Sequence, residues 1–235
     1  DFMSAGAFTH LTRHYLERRL STSVGVRMDM HTLNMTTRNP LAQLSPRMSA
    51  QYHLNDSWAV QGNLGSYTQL PPAITILANA ANNWSGDSYA GRVNQAATGI
   101  EFQNGQTYRF SLEGYYKDYR QMPYLWADQM AFSQAIGAYV SVGDQISSSR
   151  AQGRAYGLEL FLQQKLKGTY WWTMSYNFGY SETRLDASQE WTPTVWDNRH
   201  NINLVLGKVW GKGWQIGAKY RWATGTPYTP FDTEL

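Results

Sequence analysis

Apolar and polar residues alternate along much of this chain with a period of two, the signature of strands that show one apolar and one polar face. The alternation is cleanest near the end, where Trp214, Ile216, Ala218, Tyr220 and Trp222 stand against Gln215, Gly217, Lys219 and Arg221. Just before it, Ile202, Leu204 and Leu206 oppose Asn201, Asn203, Val205 and Gly207. The same spacing predicts strands over residues 20–30, 48–54, 95–103, 108–116, 156–164 and 170–180, with another starting at Trp58. Residues 4–16 alternate least cleanly. The sum is about ten strands in five hairpins.

The connections alternate in length as regularly as the residues alternate in polarity. Short ones fall at residues 17–19, 55–57, 104–106, 165–168 and 211–213; long ones at 31–43, 69–94, 121–152 and 182–198. Asn104-Gly105 and Gly211-Lys212-Gly213 carry tight-turn chemistry. Every long loop therefore lies at one end, as in transmembrane barrels with short periplasmic turns and long extracellular loops.

Composition sharpens this. Charged residues make up 16% and aromatics 14%, yet mean hydropathy is −0.51. A soluble domain would carry roughly 25% charge, and a helical membrane protein would score strongly apolar. No apolar run approaches the ~18 residues of a spanning helix. A barrel fits, because alternate residues face lipid and water. Aromatics set the membrane thickness: Tyr108 to Tyr116, Trp172 to Tyr180 and Trp214 to Trp222 are each expected to span the apolar band, with Trp58 in the girdle. At about 3.3 Å per residue and about 40° tilt each spans roughly 20 Å, against an expected band of about 25 Å.

Charges agree with these faces. Arg27, Arg47, Glu101, Arg109, Glu113, Glu159, Lys219 and Arg221 fall on the polar row and are expected to face the lumen. Lys208 falls on the apolar row, beside a short turn where it can snorkel. With short turns periplasmic, both ends of the chain are expected at the extracellular rim. Residues 1–235 then read as a single partial transmembrane barrel domain with no plug, an excerpt of a larger wall, because an unclosed sheet leaves unpaired edges in lipid.

Several stretches resemble TonB-dependent receptors, particularly the large-barrel receptors of Bacteroidetes. They include Leu44-Ser-Pro-Arg-Met-Ser-Ala-Gln-Tyr52, Tyr67-Thr-Gln-Leu-Pro71, Thr98-Gly-Ile-Glu-Phe102 and Glu113-Gly-Tyr-Tyr-Lys-Asp-Tyr119. Gly153-Arg-Ala-Tyr-Gly-Leu-Glu-Leu160, Asp197-Asn-Arg-His200 and Thr224-Gly-Thr-Pro-Tyr-Thr-Pro230 follow in the same order. The resemblance implies the C-terminal part of a 22-stranded outer-membrane barrel that imports a scarce nutrient with TonB-supplied energy. A siderophore, cobalamin, a peptide or a glycan would each fit. It further implies a plug and a TonB-contacting segment as partners, neither of them within this chain, alongside outer-membrane lipid and the remaining barrel strands.

No chemistry competes with that reading. There is no cysteine, so no thiolate site. His10 and His14 have the i, i+4 spacing of helical zinc sites, but on a strand it separates the rings by about 13 Å. His31, His53 and His200 are scattered, and no metal or cofactor is expected. Gly211-x-Gly213-x-x-x-Gly217 misses the dinucleotide spacing, and no strained nucleophile turn marks a triad, so no catalytic residue is assigned. A net charge of +3 without basic blocks argues against nucleic acid. Ligand contact is expected from loop aromatics: Trp84, Tyr89, Tyr124, Trp126, Tyr139, Trp191 and Trp196. Two alternatives are a small outer-membrane hydrolase on a ten-stranded barrel, which would pair its first and tenth strands, and a non-catalytic adhesin or structural barrel.

Overall fold

A computed structural model describes residues 3–84, 88–138, 140–186, 188–211 and 213–228. The chain is all-β, a single antiparallel sheet. Ten long strands follow one another in space as in sequence. They are β1 (Ser4–Tyr15), β2 (Leu20–His31), β3 (Ser45–His53), β4 (Trp58–Gln69), β5 (Gly91–Asn104), β6 (Tyr108–Leu125), β8 (Ser147–Lys167), β9 (Tyr170–Arg184), β11 (His200–Trp210) and β12 (Trp214–Ala223). Two-residue strands β7 (Met130–Ala131) and β10 (Thr192–Pro193) pair only with β6 and β9. The sheet is open: among the described residues β1 and β12 do not pair, so the closure that a self-contained ten-stranded barrel requires is not made.

The register aligns the alternating residues into continuous rows. One row crosses four strands as Tyr108, Gln164, Trp172 and Leu206, close to the short turns. Higher up, Met48, Leu64, Ala96, Tyr116, Tyr156 and Tyr180 form another. Tyr180, Tyr156 and Tyr116 stack in sequence, with centroids 5.0 and 6.2 Å apart. Trp58 packs on Phe102 at 4.8 Å at the opposite end of the same face. Between these aromatic levels the side chains are aliphatic and uncovered: Val24, Leu64, Leu158 and Ile216 are 60, 53, 50 and 58% exposed. In water such a surface would associate or aggregate; in a bilayer it is the solvated face.

Turn chemistry accounts for the short connections. Gly105, Gly168, Gly211 and Gly213 take left-handed φ of 55, 65, 60 and 97°. Asn55 closes its turn by accepting from the amides of Ser57 and Trp58, each at 2.9 Å. The first turn lacks glycine, and Leu16, Glu17 and Arg18 all take left-handed φ, which costs about 1–2 kcal/mol per residue.

The strands run past the expected boundaries at the long-loop end. β6 continues nine residues beyond Tyr116 and β8 begins nine before Tyr156. A bulge at Gln121, φ 59°, shifts the β6–β8 register between Tyr119 and Met122. Beyond the upper aromatic row no lipid imposes alternation, but the backbone ladder continues to satisfy N–H and C=O groups.

Candidate functional site

Two structures frame a candidate site: the polar face of the wall and the loop layer at its long-loop end. On the polar face, register places Arg27 opposite Phe8, Arg47 between Gly25 and Gly65, and Lys219 and Arg221 opposite Val205 and Asn203. Arg109 donates Nε to Glu101 at 3.0 Å. Glu113 and Glu159 stand directly opposite each other, the one like-charge juxtaposition in this expected set. Asn177 donates to Glu159 at 3.0 Å and so relieves part of the repulsion. The eight charges expected toward the lumen thus share the face opposite the aromatic rows. His10 and His14 share it too, and His14 bonds Ser21 at 2.8 Å. Among the described residues no three metal-ligating side chains converge.

The loop layer is built from buried polar residues. Residues 32–44 carry helix α1 (Met35–Arg38) and a 3₁₀ turn (Pro40–Gln43); α2 (Ala73–Ala81) lies in the next loop and α3 (Phe132–Ala135) follows β7. α2 is turned inside out: Thr75 and Asn79 are buried, while Ile74 and Leu77 are 42 and 68% exposed. Asn79 donates to the Ser147 carbonyl and to the Ser88 hydroxyl, both at 2.9 Å, and accepts from the Ser147 amide at 2.8 Å. That clamp fixes α2 on the start of β8. Nearby, Ser149 bonds the Tyr89 backbone in both directions, and Asn82 donates to the Asp144 carbonyl at 3.1 Å.

The other loops are tied in the same way. Asn34 caps α1 and donates its Nδ2 to the Ser88 carbonyl, joining the first loop to the second. Gln134 donates to Thr192 at 2.6 Å and the Val195 amide to the Ser133 carbonyl at 3.2 Å, joining the third to the fourth. The small apolar core lies here: Tyr124, Ala131 and Ala151, with Met122 and Leu185 against it.

The loop aromatics divide. Trp84, Trp126 and Trp196 are exposed, with Trp126 edge-on to Tyr124 and under the Arg150 guanidinium. Tyr124 is 6% exposed and packs the loop core, so it is a structural residue rather than an open contact; burial pushes its phenol pKa up. Tyr89 is half-buried and positioned through its backbone. Trp191 is sandwiched between Arg154 and Arg184, 4.3 Å from each. Both arginines continue the apolar-face row upward, so Trp191 lies on the outer side of the wall and not over its polar face. Tyr139 lies outside the described residues.

Sequence reasoning overlooked Asn34, Asn79, Gln134 and Ser147, the residues that hold the loops together. Thr75 and Asn79, four apart on an otherwise apolar helix, were the available signal.

The girdle residues separate into two levels. Trp58, Tyr108, Trp172 and Trp214 lie near the short turns, and Tyr116, Tyr180 and Trp222 near the long loops. His200 sits beside the upper level, 2.8 Å from the Tyr176 hydroxyl. Lys208, low on the apolar row, stacks over Tyr170 at 4.9 Å.

A family model for the TonB dependent receptor-like beta-barrel matches residues 1–234. The chain belongs to that family. Comparison with curated protein sequences finds no match. Among solved structures, FpvA of P. aeruginosa bound to pyoverdine and iron superposes with a TM-score of 0.67 at 15% identity, over 95% of this chain and 28% of that one. The ferric-catecholate import receptor Fiu of E. coli K12 gives 0.65 at 12% identity, over 94% of this chain and 34% of that one. The copper transporter OprC gives 0.62 at 16%, over 94% and 35%. These likenesses establish the fold. The TonB-dependent receptor barrel described here spans about a third of the length of the structures it matches.

Proposed function

We propose that the chain forms part of the wall and mouth of an outer-membrane receptor that takes up a scarce nutrient with energy supplied through TonB. The observation that carries this is the uncovered aliphatic face bounded by two aromatic levels, in a chain of the TonB-dependent receptor barrel family. Such a face is stable only against lipid. The polar face, with Arg27, Arg47, Glu101, Arg109, Glu113, Glu159, Lys219 and Arg221, then lines the lumen and meets a plug. Trp84, Trp126 and Trp196 are the exposed loop aromatics available to a ligand.

Siderophores, cobalamin, peptides and glycans are the substrate classes to screen. The pyoverdine–iron, ferric-catecholate and copper proteins of the same fold put metal chelates first. The test is uptake by the native bacterium with and without the gene. Loss of high-affinity uptake of one nutrient, restored by the intact gene, is the expected result. Unchanged uptake across all four classes would sink the proposal. Trp84→Ala, Trp126→Ala and Trp196→Ala should then raise the half-saturating concentration without abolishing uptake.

A further inference from the structure

At the long-loop end the polar face of the wall runs under a roof supplied by two loops. Register aligns Tyr67, Val93 and Tyr119 there in one row, with Gly153 and Thr183 beyond them. Past the bulge at Gln121, the Met122 sulfur lies over Gly153 on the same face. α3 starts where β7 leaves β6 and reaches across this row to the fourth loop. There the Val195 amide donates to the Ser133 carbonyl at 3.2 Å, and Gln134 donates to Thr192 at 2.6 Å. Thr194 in turn bonds the Ser181 hydroxyl at 2.7 Å, on the same side of β9 as Asn177. The roof is therefore tied down on the polar face.

Between roof and wall is a pocket of about 420 Å³, bounded by Tyr67, Val93, Tyr119 and Met122 on the wall and by Phe132, Ser133 and Trp196 on the roof. Small-molecule sites range over about 300–1,000 Å³. One polar atom in it is unsatisfied. Ser133 is 1% exposed, and its hydroxyl has no hydrogen-bond partner among the described residues. The other buried orphans among those residues, on Gln43 and Ser148, do not line this pocket. A hydroxyl buried without a partner loses its hydration uncompensated, and a ligand atom restores the bond.

Charge selects the kind of ligand. Among the described residues no carboxylate, histidine or lysine lines the pocket. Arg92 and Arg120, at its edge, pair with each other across the ladder on the opposite face of their strands. Arg92 donates to the Ala42 and Leu44 carbonyls and to the Ser66 hydroxyl, and Arg120 donates to Asp118. An anionic chelating group entering here would be desolvated without a counter-charge. An apolar body with one hydrogen-bonding atom gains by the same transfer. Height points to a ligand that arrives from outside: Tyr119 lies three residues beyond Tyr116, roughly 8 Å above the upper aromatic row at about 3.3 Å per residue and about 40° tilt. The pocket thus lies in the mouth, beside the exposed Trp196.

We infer that this pocket takes an uncharged, largely apolar group of the imported ligand, a ring or branched aliphatic unit whose one carbonyl oxygen accepts from the Ser133 hydroxyl. The inference rests on the uptake reading proposed above and narrows it. Of the substrate classes named there, a chelate would enter this pocket only by an uncharged periphery, never by its anionic metal-binding groups.

The test uses the intact protein, purified from its own outer membranes in mild detergent, and three probes followed by fluorine NMR: 4-fluorobenzamide, 4-fluorobenzoate and fluorobenzene. Protein-free micelles give the background for each. The amide should bind at least about tenfold more tightly than the carboxylate, which carries the uncompensated charge. Ser133→Ala should weaken the amide about three- to tenfold and leave fluorobenzene, which has no carbonyl, unchanged. Val93→Trp fills the pocket and should abolish binding of both. Mobility of unheated samples on gels reports whether each variant is folded. Carboxylate bound as tightly as the amide overturns the inference, as does unchanged amide binding by Ser133→Ala or by folded Val93→Trp. Absence of binding to the parent protein overturns it too, and would assign the pocket to another segment of the receptor. Uptake is scored in parallel, where Val93→Trp should raise the half-saturating concentration at least about tenfold. Unchanged uptake by this folded variant overturns the pocket as a ligand site and leaves the transport proposal, tested by gene deletion, standing.

Discussion

The wall below the Tyr116–Tyr156–Tyr180 stack and the loop layer above it are made of opposite materials. In the wall, leucines and valines point outward uncovered, and a backbone ladder holds the strands. In the loop layer Thr37, Thr75, Asn79, Ser147, Thr183 and Asp197 are buried, and Leu77 and Trp196 are exposed. The difference follows from the two solvents. Lipid offers no hydrogen bonds, so the wall must satisfy its backbone internally and show hydrocarbon. Water competes for every loop hydrogen bond, so the loops gain order by enclosing polar side chains that bond two segments at once. The wall fixes position; the loops are fixed to one another.

Substitutions can break this contrast in a graded way. The largest effect is expected where the wall meets lipid: Leu160→Arg, midway between the aromatic levels and paired with Leu112 and Tyr176, should destabilise refolding into vesicles by about 2–4 kcal/mol. Asn203→Arg on the polar face should cost far less in the same assay, and equal losses would contradict the assignment of faces. Next, Asn79→Ala removes both ends of the α2 clamp and strands the Ser147 amide, a loss of about 1–3 kcal/mol. Hydrogen exchange should quicken at Ser147 and along α2, while wall amides keep their protection; uniform loss of protection would mean that the two regions are one cooperative unit.

A smaller and opposite effect is expected at the Glu113–Glu159 pair. Glu113→Gln removes a like charge across the ladder and should stabilise by about 0.2–1 kcal/mol, with denaturant midpoints in vesicles as the measure. The smallest lies in the fourth loop, where the Ser188 hydroxyl and amide hold the Asp186 carboxyl below its usual range. Ser188→Ala should move that pKa upward by NMR titration. Because the folded value is depressed, the interaction is present above the unfolded carboxylate range and fades as pH falls through the folded value. Melting temperature at neutral pH should fall only slightly, since the group is fully solvated and its interaction is screened.

Legibility in the sequence follows the same division. The ten long strands and the placement of charges such as Arg109 and Glu159 could be read because lipid enforces a period of two. Above the girdle that constraint ends. The upper half of β8 begins Ser147-Ser148-Ser149, which reads as loop, yet all three are buried strand residues, Ser147 held by Asn79 and Ser149 by the Tyr89 backbone. α2 could not be placed by its apolar residues, because its polar ones face inward. Tyr124 and Trp191 read as ligand aromatics, but what a ring touches is decided by tertiary partners, Ala131 and Ala151 for one and two arginines for the other.

The bulge at Gln121 has an evolutionary consequence. It adds one residue to β6, which a second irregularity between Met122 and Pro123 returns on β8, and both lie above the last aromatic row. Loss or gain of a single codon between Tyr108 and Tyr119 would exchange the two faces of every residue beyond it, presenting Glu113 or Lys117 to hydrocarbon. The same event beyond Gln121 would fall where neither face is read by lipid and where a slip in register is already accommodated. Length variation among descendants of this gene should therefore accumulate on one side of the upper aromatic row, and the row itself should mark where the reading becomes strict.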